Sequence, residues 1–476
     1  MFSSIGLIRL RIMIIENIGN LVPKAVLGVC RAIKDAGGRG WLVGGSARDL
    51  FLGNAPKDWD IEAYGLPPDL LTDVLNRIGR CDHVGKKFGV SKLWAEGYEI
   101  DVALPRTELK VARGHKGFDV TPDPFIEPVR AVLRRDFTIN AMMFDPLNNE
   151  FVDFFTGVQD LKDGILRHVS GAFIEDPLRP LRAMQLAARY RLTLAEETEE
   201  LCKSLLSEAD TLPKSRVWQE WFKWSKAAFP SYGLNALKAM GWLTLYPELE
   251  KMVGCPQQQR WHPEGDVWTH TCLVVNEAAR LGRLRGLSEQ EQVVLMFAAL
   301  CHDMGKPLAT RNEASGEVVA PEHGHMGVGP AEAFLDEIFM PKHMRRFIPP
   351  LVSEHVAHFE NDISEQAVMH LAKNIEPANI MLWEALTEAD ACGCYPLPPK
   401  RPGLQWLDLA KDIGVSRNKC EPIITGEMLL GYGWHQSPQL GKMLAKAYKA
   451  QLNGAFKDKL SAYSWLKKNA VATQEK

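Results

Sequence analysis

Two glycines and a following helix start lie near the beginning of the chain, in the stretch WLVGGSARDLFLGNAPKDWDIEAYG (41–65). Gly44 and Gly45 follow a short apolar run, which predicts a buried strand that ends in a tight turn before a helix. Backbone N–H groups at such a turn, together with the positive end of the helix dipole, favour a bound phosphate. Because Ser46 and Arg48 stand at the start of this helix, we predict a phosphate-binding turn there.

Two alternating aspartates, Asp58 and Asp60, follow about a dozen residues later on a predicted strand, where positions i and i+2 share one face. Two carboxylates on one face repel each other unless a cation lies between them. Mg²⁺ suits this position because it binds one or two carboxylates plus substrate phosphates. We predict two-metal phosphoryl transfer, with Asp101 in the next predicted strand (98–104) as a third carboxylate. Glu62 is on the same face and is expected to be solvated.

The elements that position these residues predict an α+β chain. Strand patterns end at about residue 160, and helical periodicity dominates afterwards, so we expect a mixed sheet with helices followed by an all-α body. A length of 476 residues predicts two to four domains. The formal net charge of −3 gives no overall basic field, so any RNA contact must use local patches.

Composition also bears on location. No run approaches the roughly 20 apolar residues that a spanning helix needs, so no membrane contact is expected. The nine scattered cysteines include no C-x-x-C pair, which is typical of reduced thiols and predicts a cytoplasmic protein. Cys392-Gly-Cys394 is interpreted as structural, because a single C-x-C lacks the second pair of a usual metal site. The oligomeric state stays open between monomer and homodimer.

A second series of histidines and aspartates is spread over the helical part of the sequence. Imidazole and carboxylate ligands of this kind suit a hydrolytic site with one or two metal ions. The pattern leaves His323 and His325 as alternatives for one position, and we take His325. The predicted ligands are His270, His302, Asp303, His325, His355 and Asp390.

The combination of the glycine turn with the D-x-D strand resembles the nucleotidyltransferase head of polymerase-β-like enzymes. VLRRDFTINAM (132–142) and IEDPLRPLRAMQLAARY (174–190) resemble motifs of class II CCA-adding tRNA nucleotidyltransferases and their poly(A) polymerase relatives. The segment VALPRTE (102–108) resembles the one before that family's flexible loop. The resemblance implies tRNA, CTP and ATP as substrates and Mg²⁺ at Asp58 and Asp60. It assigns the nucleotide to Gly45, Arg48, Arg135, Asp176, Arg179 and Arg182.

The last three of these residues suit base selection. Asp176 before Pro177 predicts a helix start, and Arg179 and Arg182 would then share a face. A carboxylate that accepts and an arginine that donates match both cytosine and adenine, but not uracil or guanine. Gln185 departs from the family, which commonly has a third arginine there, and Arg189 is a possible substitute.

The histidine series resembles the HD-superfamily metal phosphohydrolases, and its position after such a head resembles the multifunctional bacterial CCA enzymes. The resemblance implies hydrolysis of 2′,3′-cyclic phosphates, 2′-nucleotides and other phosphomonoesters, with Ni²⁺ or another divalent transition metal. The expected domains are a head (1–170), a helical neck and body for base selection and RNA binding (171–260), an HD domain (261–395) and a helical tail (396–476).

Three alternatives remain open at this point. A poly(A) polymerase shares the head motifs, and a CC-adding or A-adding specialist differs in the loop after Glu108. From another class, the protein could be mainly an HD phosphohydrolase that uses its head to bind RNA. The basic and aromatic stretch KSRVWQEWFKW (214–224) is a candidate RNA-binding helix, or equally a helix with its tryptophans in the core.

Overall fold

The computed structural model describes residues 11–14, 18–82, 90–110, 118–360, 362–398 and 400–469. It contains two compact units, Met1–Leu243 and Thr244–Lys476. The four domains expected from the sequence stay predictions. The loop after Glu108 falls largely on residues 111–117, outside the described part of the chain.

A mixed sheet forms the centre of the first unit. Its order is β1-β10-β9-β2-β3-β6-β5-β4, in which β3 and β6 are parallel and the other neighbours are antiparallel. Two-residue strands pair as β11–β12 and β13–β14, and β7 pairs with β8. The described strands are β1 (Arg11–Ile14), β2 (Arg39–Val43), β3 (Trp59–Tyr64), β4 (Arg80–Asp82), β5 (Val90–Ala95), β6 (Tyr98–Ala103), β7 (Arg106–Lys110), β8 (Phe118–Pro122), β9 (Met143–Asp145), β10 (Glu150–Asp153), β11 (Ile165–Leu166), β12 (Thr193–Leu194), β13 (Arg311–Asn312) and β14 (Val318–Val319).

Helices cover this sheet and extend the first unit. They are α1 (Lys24–Asp35), α2 (Gly45–Phe51), α3 (Pro68–Ile78), α4 (Pro128–Val132), α5 (Gly157–Asp163), α6 (Arg179–Tyr190), α7 (Glu196–Ser204), α8 (Lys214–Ser225) and α9 (Pro230–Ala239). In α8, Trp221 and Trp224 are fully buried, so these tryptophans belong to the core. The mixed sheet with helices predicted from the sequence is confirmed.

Both faces of the central strands are buried, which explains the unbroken apolar run at the start of the 41–65 stretch. Leu42 of β2 packs in one cluster with Ile61, whereas Trp41 and Val43 belong to a cluster on the opposite side with Tyr64. A strand covered on both faces needs apolar residues at every position rather than at alternate ones.

The described residues of the second unit are helical apart from the short pair β13–β14. The predicted all-α body is therefore confirmed, apart from this pair and the two-residue strand β12. None of the described helices combines the length and the apolar character that crossing a membrane requires. The helices are α10 (Pro247–Glu250), α11 (Val267–Leu284), α12 (Glu289–Cys301), α13 (Lys306–Ala309), α14 (His323–Glu337), α15 (Lys342–Arg345), α16 (Ile348–Glu354), α17 (Ala357–Glu360), α18 (Glu365–Asn374), α19 (Ile380–Gly393), α20 (Leu404–Asp412), α21 (Gly426–Gly431), α22 (Pro438–Leu452) and α23 (Lys459–Asn469).

We predict that Gly44→Ala destabilises the first unit by roughly 1–3 kcal/mol, because Gly44 has φ +64° and ψ −128°, which side-chain-bearing residues avoid. An added Cβ would also lie 3.1 Å from Arg135 Nη1. Urea unfolding followed by circular dichroism measures the loss. Gly28→Ala is the control, since Gly28 lies inside α1 with open space around it, and should change stability by at most about 1 kcal/mol. Equal effects of the two substitutions would contradict the argument.

Candidate active sites

The glycine turn and the aspartates are joined by one buried hydroxyl. Ser46 is 1% exposed; its Oγ donates to the carbonyl of Asp58 at 2.9 Å and accepts from the backbone N–H of Asp60 at 2.9 Å. The start of α2 is therefore tied to the start of β3. These two hydrogen bonds fix the position of the two aspartates relative to the turn.

The three predicted carboxylates are brought to neighbouring strands. Asp58 is exposed just before β3, and Asp60 on β3 lies opposite Asp101 on β6 in the parallel register. Burial raises the pKa of Asp60 to about 6; the charge of Arg135 opposes the rise, and the charges of Asp101 and Asp58 add to it. Lys92 Nζ lies 3.2 Å from Asp101 Oδ1.

This carboxylate set fits a divalent cation. Asp60 is buried beside Asp101 and Asp58, whose charges add to the rise in its pKa that burial causes; a hard cation with oxygen ligands would favour the ionised form of these carboxylates. Asp58 and Asp60 are the residues to which the sequence analysis assigned Mg²⁺, and Asp101 is the third carboxylate, opposite Asp60. The cation's role at these residues stays a prediction.

The prediction that Glu62 is solvated is wrong. Glu62 is 2% exposed; Tyr64 Oη donates to its Oε2 at 2.6 Å, and its Oε1 lies 3.3 Å from Arg134 Nη2 and 3.5 Å from Arg135 Nη2. The strand face that is open at Asp58 is covered at Glu62 by the apolar cluster that contains Trp41. Glu62 therefore positions Arg135 beside the turn.

A buried carboxylate that the sequence analysis did not single out, Asp136, joins the three head motifs. Its Oδ2 accepts from Arg182 Nε at 2.8 Å and Nη2 at 2.6 Å, and its Oδ1 accepts from Asn140 Nδ2 at 3.0 Å. Asn140 Oδ1 in turn accepts from Arg48 Nη1. Burial would raise the pKa of Asp136, but the charge of Arg182 and the hydrogen bond from Asn140 outweigh it and lower the pKa to about 2.

The predicted base-selecting segment begins two residues later than expected. Helix α6 starts at Arg179, and Asp176 lies in the turn before it, where Oδ1 accepts from the N–H of Leu178 at 3.0 Å. The proline at 177 therefore precedes the helix instead of opening it. Arg179 donates to the carbonyls of Ala172 at 2.8 Å and Arg134 at 2.7 Å.

Arg216 of α8, which the sequence analysis did not name, lies 3.3 Å from Asp176 Oδ2. Gln185 is 2% exposed and its Oε1 has no hydrogen-bond partner among the described residues. Arg189 is exposed; its guanidinium lies 5.1 Å from the Tyr190 ring centroid, and that of Arg48 lies 4.3 Å from the same centroid. Arg189 as a substitute for the missing arginine stays a prediction.

The second unit collects the predicted histidines and aspartates into one buried cluster. His270 Nε2 is 2.9 Å from Asp390 Oδ1, and His302 Nε2 is 3.2 Å from Asp303 Oδ2. His355 Nε2 lies 3.9 Å from Asp303 Oδ1. These five residues converge, although they come from separate helices and turns.

The remaining histidine of the cluster is His323, and the choice of His325 needs correction. His323 Nε2 lies 3.4 Å from Asp303 Oδ1 and 3.1 Å from His355 Nε2. His325 is exposed and its Nδ1 pairs with Ser353 Oγ at 2.6 Å. The two histidines are two positions apart on α14, so a helical rotation of about 200° separates their directions.

All four inward-facing imidazoles turn the same nitrogen to the cluster. Nδ1 of His302, His323 and His355 donates to the backbone carbonyl three residues earlier, at 2.8, 2.8 and 2.7 Å. His270 Nδ1 donates instead to a side chain, Glu264 Oε1, at 2.7 Å. These bonds leave Nε2 as the ligand atom of each histidine.

The donor set fits a divalent transition metal. Burial, with the charges of His323 and His302, lowers the pKa of His355 to about 3. Burial opposes ionisation of Asp303, but the charges of His302 and Lys306 hold its pKa well below the ordinary value. His302 Nε2 is buried without a hydrogen-bond partner among the described residues. Neutral imidazoles and ionised carboxylates are the forms that bind metals.

A cavity of about 580 Å³ opens onto this cluster. Asp303, His323, His355 and Asp390 line it, together with the exposed Trp261 and Phe359. Lys306 was missed by the sequence analysis although it follows Asp303 by three residues. It is 8% exposed, and its Nζ lies 2.8 Å from Asp303 Oδ2.

Comparison with known proteins decides the family. Residues 40–167 match the model of the poly A polymerase head domain. A multifunctional CCA protein of Laribacter hongkongensis is 36% identical over 363 residues, which cover 74% of this chain and 84% of that protein. A multifunctional CCA protein of Xanthomonas oryzae pv. oryzae is 32% identical over 438 residues, which cover 88% of this chain and 98% of that protein. The chain belongs to the multifunctional CCA protein family.

Solved structures show the same fold. The Bacillus stearothermophilus CCA-adding enzyme in complex with CTP matches with a TM-score of 0.64 at 18% identity, over 95% of this chain and 100% of that one. The Thermotoga maritima CCA-adding enzyme complexed with tRNA matches with a TM-score of 0.58 at 18% identity, over 96% and 99%. The fold and family predicted from the sequence, a class II CCA-adding enzyme, are thus confirmed.

We predict that Asp136→Asn lowers the free energy of unfolding at pH 7 by roughly 2–4 kcal/mol, because Arg182 loses its buried counter-charge. The lowered pKa of Asp136 stabilises the fold above the unfolded-state pKa of about 3.9, and this contribution disappears as the pH falls towards 2. The stabilities of the two proteins should therefore converge in that range, as measured by urea unfolding at each pH. Asp73→Asn, at an exposed site on α3, is the control; a constant gap down to pH 2 would contradict the role of Asp136.

Proposed function

We propose that this multifunctional CCA family member adds and repairs the 3′-terminal CCA of tRNA from CTP and ATP without a nucleic-acid template. The supporting observation is the hydrogen-bonded chain from Arg48 through Asn140 and Asp136 to Arg182, which joins the glycine turn to the base-selecting helix. The described cysteines are all free thiols, which suits the proposed location in the cytoplasm. The oligomeric state stays open between monomer and homodimer.

The head's own residues bind and orient the nucleotide. Gly45 and Arg48 take the triphosphate at the start of α2, and Arg135, which lies beside Gly44, adds a second cation. Asp176 and Arg179 present an acceptor and a donor to the edge of cytosine or adenine. Asp58 and Asp60 would hold Mg²⁺, with Asp101 as the third carboxylate; the metal would help to activate the attacking hydroxyl and would neutralise charge at the leaving pyrophosphate.

We further propose a metal-dependent phosphohydrolase activity at the histidine cluster of the second unit. Its support is the convergence of four Nε2 atoms with Asp303 and Asp390; of these residues, His323, His355, Asp303 and Asp390 line an open cavity. Nickel or another divalent transition metal suits these imidazole and carboxylate ligands and supplies an activated water. The positive Lys306 at this wall would attract a phosphate ester. Expected substrates are 2′,3′-cyclic phosphates, 2′-nucleotides and other phosphomonoesters.

Incubation with tRNA that ends before CCA, Mg²⁺ and CTP plus ATP should add two cytidines and one adenosine and then stop, because one site accepts only these bases. Sequencing of the 3′ ends measures the product. A run of adenosines would show a poly(A) polymerase, and CC or A alone would show a specialist. No addition at all would favour a phosphohydrolase with an RNA-binding head.

The two activities should be separable by substitution. Asp58→Ala with Asp60→Ala should reduce nucleotide addition at least 10³-fold, because the metal-binding carboxylates are gone, while Ni²⁺-dependent hydrolysis of 2′,3′-cyclic AMP persists. His302→Ala with Asp303→Ala should do the reverse. Initial rates of both reactions on all three proteins test this. Hydrolysis that survives the His302/Asp303 change would refute the proposed hydrolytic site.

A further inference from the structure

Glu264 lies next to the histidine cluster and was not anticipated from the sequence. It stands in the loop before α11, and its side chain is 2% exposed. Its Oε1 accepts from His270 Nδ1 at 2.7 Å and from His262 Nδ1 at 2.9 Å. A buried carboxylate that receives two imidazole N–H groups is placed to orient rings.

His270 differs from the other inward-facing histidines in how its outer nitrogen is held. His302, His323 and His355 each donate Nδ1–H to a backbone carbonyl three residues earlier. His270 lies within the first turns of α11, and its Nδ1 pairs instead with Glu264 Oε1. Its ring therefore relies on a side-chain acceptor.

His270 is fully buried between two carboxylates, with Nε2 at 2.9 Å from Asp390 Oδ1 and Nδ1 at 2.7 Å from Glu264 Oε1. A metal ion bound by Nε2 takes the place of the proton on that nitrogen, and the remaining proton must then stay on Nδ1. Glu264 is the acceptor for that proton. A carboxylate in this position fixes the tautomer and raises the basicity of the ligand nitrogen.

We propose that Glu264 is a positioning residue that holds His270 in the Nε2-ligand tautomer and so sets the metal affinity of the histidine cluster. This inference rests on the proposed metal site. Glu264 acts on the cluster through His270, and its second imidazole partner among the described residues is His262.

The test is equilibrium dialysis of the full-length, metal-stripped protein against Ni²⁺, with bound metal counted by mass spectrometry. Glu264→Gln keeps the length and an acceptor oxygen but loses the charge, so Ni²⁺ affinity should fall about 10-fold, and Glu264→Ala should approach a 100-fold loss. The number of bound ions at saturation should stay unchanged. Far-UV circular dichroism and urea unfolding serve as the check that each variant is folded.

Two matched variants separate this role from others. Glu277→Gln changes a carboxylate on α11, the helix that carries His270. Glu277 pairs with Arg280, and its substitution should leave Ni²⁺ affinity unaltered. Cys394→Ser probes the alternative that Glu264, His262, His270 and Cys394, whose donor atoms lie within 4.8 Å of one another, bind a metal themselves. Under the proposal, Cys394→Ser has no more than a threefold effect.

The outcomes are distinct. Loss of one bound ion in both Glu264→Gln and Cys394→Ser would overturn the proposal, because Glu264 would then be a ligand of its own site. Unchanged Ni²⁺ affinity in Glu264→Ala would overturn it while leaving the proposed hydrolytic site intact. Wild-type protein that binds no more Ni²⁺ than the His302→Ala, Asp303→Ala variant would overturn both.

Discussion

The arrangement of the head depends on the hydrogen bonds and ion pair of one buried carboxylate, Asp136. It sits between α6 and the turn that contains Asn140, and it holds Arg182 with two hydrogen bonds. Through Asn140 it also reaches Arg48 at the glycine turn. Asp136 is only 8% exposed, and a buried charge is stable only when partners of this kind compensate it. The segments proposed to bind phosphate and to select the base are distant in sequence, and both are thus held by Asp136.

The second unit follows the same physical rule with different chemistry. Each inward-facing imidazole is fixed through its outer nitrogen, and the inner nitrogens converge. His323 Nε2 and His355 Nε2 lie 3.1 Å apart. At this distance the lone pairs of two neutral nitrogens repel each other, so a cation or a proton between them would stabilise the pair. Preorganisation of this kind spares the protein the cost of ordering ligands when a metal binds.

The sequence predicted most of what depends on local pattern. The period of two placed Asp58 and Asp60 on one face, and the glycine pair marked the turn. Prediction from the sequence failed where long-range packing decides which side chains are buried. The far end of β3 is covered, so Glu62 is buried although it follows the same alternation. His323 and His325 share a helix start, and only the neighbouring helices decide which one faces inward. Glu264 lies in a loop, where no periodicity marks its direction.

We propose that one chain combines 3′-end hydrolysis with nucleotide addition. The most direct measurement supplies tRNA ending in a 2′,3′-cyclic phosphate after CC, with ATP, Mg²⁺ and Ni²⁺, and sequences the products. We expect the wild-type protein to convert this tRNA to one with a CCA end. The His302→Ala, Asp303→Ala variant should give no such product, although it still extends tRNA with a free 3′-hydroxyl. Failure of the wild-type protein to extend the blocked tRNA, while it extends the free one, would contradict the account.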